Sequence, residues 1–138
     1  MNATLLRDTV ALGAITGIRS MAGPATLTIG HGVLPSRVAA VLAAAEMVVD
    51  KTPFVGTRTD AFPLAGRVVL GAIVGVVVAH ERRGNRLLAG IIGATASIAA
   101  AHLASRARRR YPSANLLGGV LEDLIVVSVG AAYAARRH

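Results

Sequence analysis

The sequence predicts an all-α membrane protein: a single integral membrane domain over residues 1–138, built as a compact bundle of about four to five transmembrane or re-entrant helices with a broken first helix. Three observations predict it. The 138 residues are 54% hydrophobic, with a mean hydropathy of +0.59, more apolar than an ordinary soluble domain. The chain carries 15 Gly, no Trp and only 3% aromatic residues, as expected for helices that associate through close backbone approach rather than through large side chains. Arginines gather in short knots between apolar stretches, as in "ERRGNR" (81–86), "SRARRR" (105–110) and the terminal "ARRH", where they can anchor helix ends to lipid phosphates.

The first helix is expected from about residue 4 to 20, broken at "RSMAGP" and continuing from Pro24 to about His31. Gly23 permits the bend, and Pro24 suits the first turn of a restarting helix because no N–H is needed there. "TVALGAITGI" before Ser20-Met21-Ala22 imitates a signal peptide, but Asp8 offsets Arg7 and Arg19 interrupts the approach to the cleavage site, so the segment reads as retained helix. A second helix runs from Ser36, a plausible N-cap, to Lys51 and stops before Pro53. "TPFVGTRTDAFP" (52–63) has the Pro, Gly and polar residues of a loop. The remaining helices are expected at about 63–80, 85–107 and 113–135. Their short connections imply antiparallel neighbours.

Small residues recur at helical spacing in Gly13 and Gly17, Gly71 and Gly75, Gly90 and Ala94, and at Gly118 and Gly119. These read as packing faces, and "GAITG" and "GAIVG" echo one another. If all five helices span, Arg7, Lys51, Arg58, Arg106, Arg108, Arg109 and Arg110 face one side, while Arg37, Arg82, Arg83, Arg86, Arg136 and Arg137 face the other. So even a split gives no orientation signal. It points either to re-entrance of the short second segment or the broken first one, the favoured reading, or to insertion in both directions as an antiparallel dimer. With the Gly-rich faces, it makes a homodimer the expected assembly.

The formal net charge is +8, from 15 Lys and Arg against seven acids. No aromatic residues interleave with the basic knots as a base-stacking platform requires, so nucleic acid is excluded as a partner and the lipid bilayer is the expected one. Without Cys there is no disulfide framework and no thiolate site. His102 and Arg106 read as interfacial, and His31 and His80 as helix-end residues.

Seven ionisable residues fall in or beside apolar helix: Arg19, Glu46, Asp50, Lys51, Arg67, Glu122 and Asp123. Each costs about 2.5 kcal/mol or more at mid-bilayer, so the set is expected to pair internally or face water. Arg19, Glu46, Asp50 and Arg67 are expected to converge. Glu46 and Asp50, four apart, share a helix face and do not both ionise easily, so one of them is the expected proton- or cation-responsive group. Glu122 and Asp123 diverge by about 100° and should look toward different surroundings.

The ordered motifs "TGIRSMAGP", "AAAEMVVDKTP", "RTD", "AGRVVLGAIVG" and "PSANLLGGVLEDLIVVSVG" resemble a family of small bacterial integral membrane proteins classified only as a domain of unknown function, number four-one-two-six. The resemblance runs from about Gly13 to Gly130. It implies a multi-helix membrane protein whose motif charges match Arg19, Glu46, Asp50, Lys51, Arg58, Asp60, Arg67, Glu122 and Asp123, and it carries no activity.

Three functions fit these residues. The first is a small transporter or channel, proton- or cation-coupled, that moves an ion or polar solute, with Arg19 at the helix break and the carboxylates as the coupling site. The second is a non-catalytic membrane scaffold in which the same charges hold short helices in register. The third is an enzyme acting on lipid phosphates, its carboxylates holding Mg²⁺ and Arg19, Lys51 and Arg67 clamping phosphate. No residue pattern fixes a cofactor.

Overall fold

The structure, a computed structural model, describes residues 1–31, 61–111 and 115–136. Among them the chain is all-helical, as the composition predicts, with five helices and no strand. They are α1 (Ala3–Ile18), α2 (Ala22–His31), α3 (Ala61–Glu81), α4 (Arg86–Arg110) and α5 (Asn115–Ala135). The expected second helix at 36–51 and most of the loop after it lie outside the described residues. So do Glu46, Asp50 and Lys51.

Capping explains several of the boundaries. The Asn2 side chain accepts the Leu5 N–H at 2.8 Å and the Asn85 side chain accepts the Leu88 N–H at 3.0 Å, starting α1 and α4. α3 ends in a Schellman turn, in which the Gly84 N–H reaches the Ala79 carbonyl at 2.7 Å and the Arg83 N–H reaches that of His80 at 3.3 Å. The left-handed position of this turn, usually glycine, is occupied by Arg83 at φ 51°.

The expected interruption of the first apolar stretch is present and falls at Arg19-Ser20-Met21. Arg19 is extended (φ −133°, ψ 114°) and its N–H closes the last turn of α1 on the Ile15 carbonyl at 2.8 Å. Pro24 is the third residue of α2, inside the first turn. α2 then doubles back along α1, since Gly23 packs against Thr16 and the Leu12 carbonyl. Of the two candidates for re-entrance, the broken first segment is the one that turns back within the described residues.

Long-range contacts fix the helix directions. Asp8 pairs with Arg82, and Leu5 lies against Gly84, so the start of α1 sits at the α3–α4 turn. Gly13 meets Gly93 and Gly17 meets Ser97, which makes α1 parallel to α4 and antiparallel to α3. α5 is antiparallel to α1, with Asp123 at Arg19 and Tyr133 at Glu81. Arg7 therefore shares an end with Arg82, Arg83 and Arg86. The count that assumed five full spans put them on opposite sides, and the return of α2 removes that assumption.

The core is formed by Leu5, Leu12, Ile15, Leu27, Val74, Val78 and Tyr133, all buried. α3 and α4 pack through Gly71 and Gly75 against Gly93 and Ala89, and α1 brings Gly13 to the same Gly93. Both echoed glycine pairs thus use one seam of α4. That seam is Ala89, Gly93 and Ser97, one position off the expected Gly90 and Ala94, although Gly90 is also buried. Gly118 and Gly119 pack on nothing: a side chain there meets no atom within 4 Å.

Three helical stretches, Pro63–Glu81, Arg86–Arg110 and Leu117–Ala135, are long and apolar enough to cross a membrane. Their outer faces expose large apolar residues, among them Ile73, Leu87, Leu103 and, on α5, Leu117 and Val127 at 67% and 66%.

Candidate functional site

The interruption of the first segment lies at mid-height of the bundle. α4 has 25 residues and is about 37 Å long. Gly17 packs against the backbone of Ser97, close to the middle of α4, and Arg19 follows two residues later. Arg67 reaches the same level from α3. It is 3% exposed, and its carbonyl accepts the Ser97 hydroxyl at 2.9 Å. Gly17 and Arg67 therefore meet at Ser97, with Arg19 two residues beyond Gly17.

Asp123 and Glu122 meet this level from α5. Arg19 holds Oδ1 of Asp123 with both Nε (3.0 Å) and Nη2 (2.7 Å). Glu122 takes a forked pair of bonds from Arg108, at 2.9 Å to Oε1 and 2.5 Å to Oε2. Side chains near a helix C-terminus lean back toward the N-terminus, which lets Arg108 reach up from the end of α4. The expected divergence of the two acids is present: one turns to α1, the other to α4. Their settings differ accordingly, Glu122 being 13% exposed and Asp123 54%. Of the four residues expected to converge, Arg19 turns to Asp123 on α5, the Arg67 carbonyl accepts the Ser97 hydroxyl on α4, and Glu46 and Asp50 lie outside the described residues.

Sequence reasoning missed three charged or polar partners. Asp8 is wholly buried between Arg82 and Arg7, the latter at 3.2 Å. Its signal was its place on the stripe Leu5, Asp8, Leu12, Ile15, an acid where the helix face is otherwise apolar. Arg108 read as one more interfacial anchor, and nothing in "SRARRR" distinguishes it from its neighbours. The Tyr133 hydroxyl donates to Oε2 of Glu81 at 3.3 Å, tying the end of α5 to the end of α3.

Hydroxyl groups line the interior of the interrupted segment. Thr16 bonds the Leu12 carbonyl at 2.7 Å, Thr26 that of Ala22 at 2.8 Å and Thr28 that of Ala25 at 2.8 Å. Such back-bonding is how a hydroxyl is satisfied inside a helix without water. Thr9 is also wholly buried, and its Oγ1 makes no hydrogen bond.

Below the end of α1 an open groove of about 600 Å³ separates the last three turns of α4 from the first half of α5. Ala100, Leu103 and Ala107 form one wall, and Leu117, Leu121 and Ile125 the other, with Ile18 at its upper end. Among the described residues no three of His, Asp or Glu converge as a metal site would require. The acids at the site are engaged with arginines, so the charge inventory considered for Mg²⁺ is not assembled by these residues. No family model, no curated protein and no solved structure matches this chain.

Proposed function

We propose that the chain is a multi-pass integral protein of the cell membrane that moves a small ion or polar solute past the interrupted α1–α2 segment. The observation that carries this reading is the position of the break, two residues beyond Gly17, which packs on Ser97 near the middle of α4. The break puts backbone carbonyl and N–H groups at mid-bundle, where the Arg19 carbonyl accepts the Ala22 N–H at 2.9 Å. Discontinuous helices of transporters bind their solutes and coupling ions with these groups. Buried hydroxyls on α1 and α2 extend the polar lining away from the break. Glu46 or Asp50 is the proposed proton- or cation-responsive group, and membership of the family that the charged motifs resemble belongs to the same proposal.

A scaffold is the second reading, favoured by one observation. α5 is nearly all outward-facing, and its Gly118 and Gly119 pack on nothing, which suits a helix awaiting a partner such as a second copy in a homodimer.

Flux in proteoliposomes separates the two. With a panel of monovalent cations, anions and small polar solutes, and a pH-sensitive dye inside, the full chain should raise flux of at least one solute. Arg19→Gln, and at least one of Glu46→Gln and Asp50→Asn, should lower it by about tenfold or more without loss of helix content. If no solute moves, or all three variants keep full flux, transport is wrong and the scaffold reading stands.

A further inference from the structure

His102, Ser105, Arg106 and Arg109 follow one another at the i, i+3, i+4, i+7 spacing that sets them on one stripe of α4, and together they line an open depression of about 350 Å³. Arg108 belongs to the other side of the helix, where it is closed on Glu122 in the α5 groove. Within the depression His102 and Ser105 are half-buried, and Arg106 and Arg109 stand exposed above them. No acid lines it. Among the described residues neither arginine is held by a carboxylate, and the Ser105 hydroxyl makes no back-bond of the kind that Thr95 makes one face away. With 25 residues α4 is about 37 Å long, roughly 7 Å more than the hydrocarbon of a bilayer. His102 lies about 12 Å before the end of the helix at Arg110. Even with the whole excess at this end, His102 stays roughly 5 Å inside the hydrocarbon, while Arg106 reaches its boundary. The arginine stems are long enough to bring their charge to the headgroups, and an imidazole is not.

We infer that this depression binds one anionic phospholipid by its headgroup: Arg106 and Arg109 grip the phosphate, Ser105 donates to one of its oxygens, and the His102 ring N–H donates to a glycerol ester oxygen below. This rests on the reading that the bundle lies in a bilayer and goes beyond the transport reading. In a phospholipid the ester oxygens lie deeper than the phosphate, which is the order in which α4 presents its donors. A free phosphate would satisfy the arginines and leave His102 without a partner. A zwitterionic lipid brings a cation of its own to two guanidinium groups, so an anionic headgroup is favoured, as in basic pockets at the ends of membrane helices. The site is narrower than a general attraction of "SRARRR" to lipid, since Arg108 is spent on Glu122 and Arg110 lies off the stripe.

Native mass spectrometry of the full chain in an uncharged detergent, titrated with phosphatidylglycerol or with phosphatidylcholine, tests this. One phosphatidylglycerol per chain should be retained, held about tenfold more tightly than phosphatidylcholine. Arg106→Gln and Arg109→Gln should each weaken phosphatidylglycerol by about threefold and together bring it to the phosphatidylcholine level. Arg110→Gln removes the same charge off the stripe and should leave it unchanged. His102→Phe should weaken both lipids by about threefold, because both carry the esters. Inorganic phosphate in excess should displace neither. Equal binding of the two lipids overturns the inference, as does an Arg110→Gln effect as large as that of Arg106→Gln. Displacement by inorganic phosphate, or unchanged binding of both lipids to His102→Phe, overturns the lipid assignment in favour of a simple anion site. Should the double variant lose its helix content, the two single variants decide. Alkaline extraction of protein reconstituted in vesicles separates the failures. A chain that is extracted loses the bilayer reading itself, and one that stays without lipid preference loses only the headgroup site.

Discussion

Gly71→Ala and Gly66→Ala are the same chemical change five residues apart on α3, and the structure predicts opposite signs for them. A Cβ at Gly71 falls 2.7 Å from both the Gly93 carbonyl oxygen and the Ser97 Cβ, whereas one at Gly66 meets nothing within 4 Å. Carbon contacts are most favourable at 3.5–4.0 Å, so α3 and α4 must part by roughly 1 Å to admit the methyl at Gly71. One obstacle is backbone and the other a Cβ fixed by its backbone, so neither has a rotamer to escape into. Such a gap forfeits a quarter to a half of the attraction of each contact along the seam, an overpacking cost of about 1–3 kcal/mol. The better helix propensity of Ala returns up to about 1 kcal/mol. The net expectation is a loss of about 1–2 kcal/mol for Gly71→Ala and a gain of about 0.5–1 kcal/mol for Gly66→Ala. Unfolding in mixed micelles by added dodecyl sulfate, followed by circular dichroism, reads both on one scale. Equal stabilities, or a Gly66 variant as weak as the Gly71 variant, would refute the glycine seam.

Three further outcomes follow from named contacts. Arg82→Ala strands the wholly buried Asp8 carboxylate with Arg7 alone and should cost about 3 kcal/mol, while adding Asp8→Leu should recover most of it. Additive effects in the double-mutant cycle would show that the pair does not interact. Arg83→Gly relieves the left-handed position in the α3–α4 turn and should raise stability by about 1 kcal/mol, read in the same unfolding assay; a loss would mean that the Arg83 side chain has a role that its backbone does not reveal. Because the chain has no Cys, single cysteines need no background removed. In sealed vesicles Arg7→Cys, Arg86→Cys and Arg136→Cys should react with an impermeant maleimide from one side and Arg109→Cys from the other. Labelling of Arg7→Cys and Arg86→Cys from opposite sides would contradict the return of α2.

What the sequence made legible is what local chemistry fixes. The break at Arg19-Ser20-Met21 was readable because Gly23 and Pro24 sit next to a charge, a combination that continuous apolar helix does not use. The helices from 63, 85 and 113 onward were readable to within three residues at each end, since charge knots and Asn85 mark their ends. Pairing across the bundle was not. Gly13, Gly17, Gly71 and Gly75 announce that something approaches closely, but the residue they share, Gly93, has no feature that separates it from Gly90. Arg108 and Arg109 carry the same charge one position apart, and only the placement of α5 decides that Arg108 is the one to take Glu122. Asp8 was hidden for the opposite reason: its neighbour Arg7 offered a sufficient local explanation, while its second partner lies 74 residues away.

That separation has a consequence for how the molecule is made. At about 5–20 residues per second, a ribosome needs roughly 4 to 15 seconds to deliver Arg82 after Asp8 has been synthesised. Gly93 and Ser97, on which α1 is seated, emerge later still. Throughout that interval the nascent α1–α2 hairpin holds the buried acid Asp8 and the bare faces of Gly13 and Gly17 without the α3 and α4 surfaces that finally cover them. α1 is thus made well before the surfaces of α3 and α4 that cover it, and its seat exists only once α4 has been delivered.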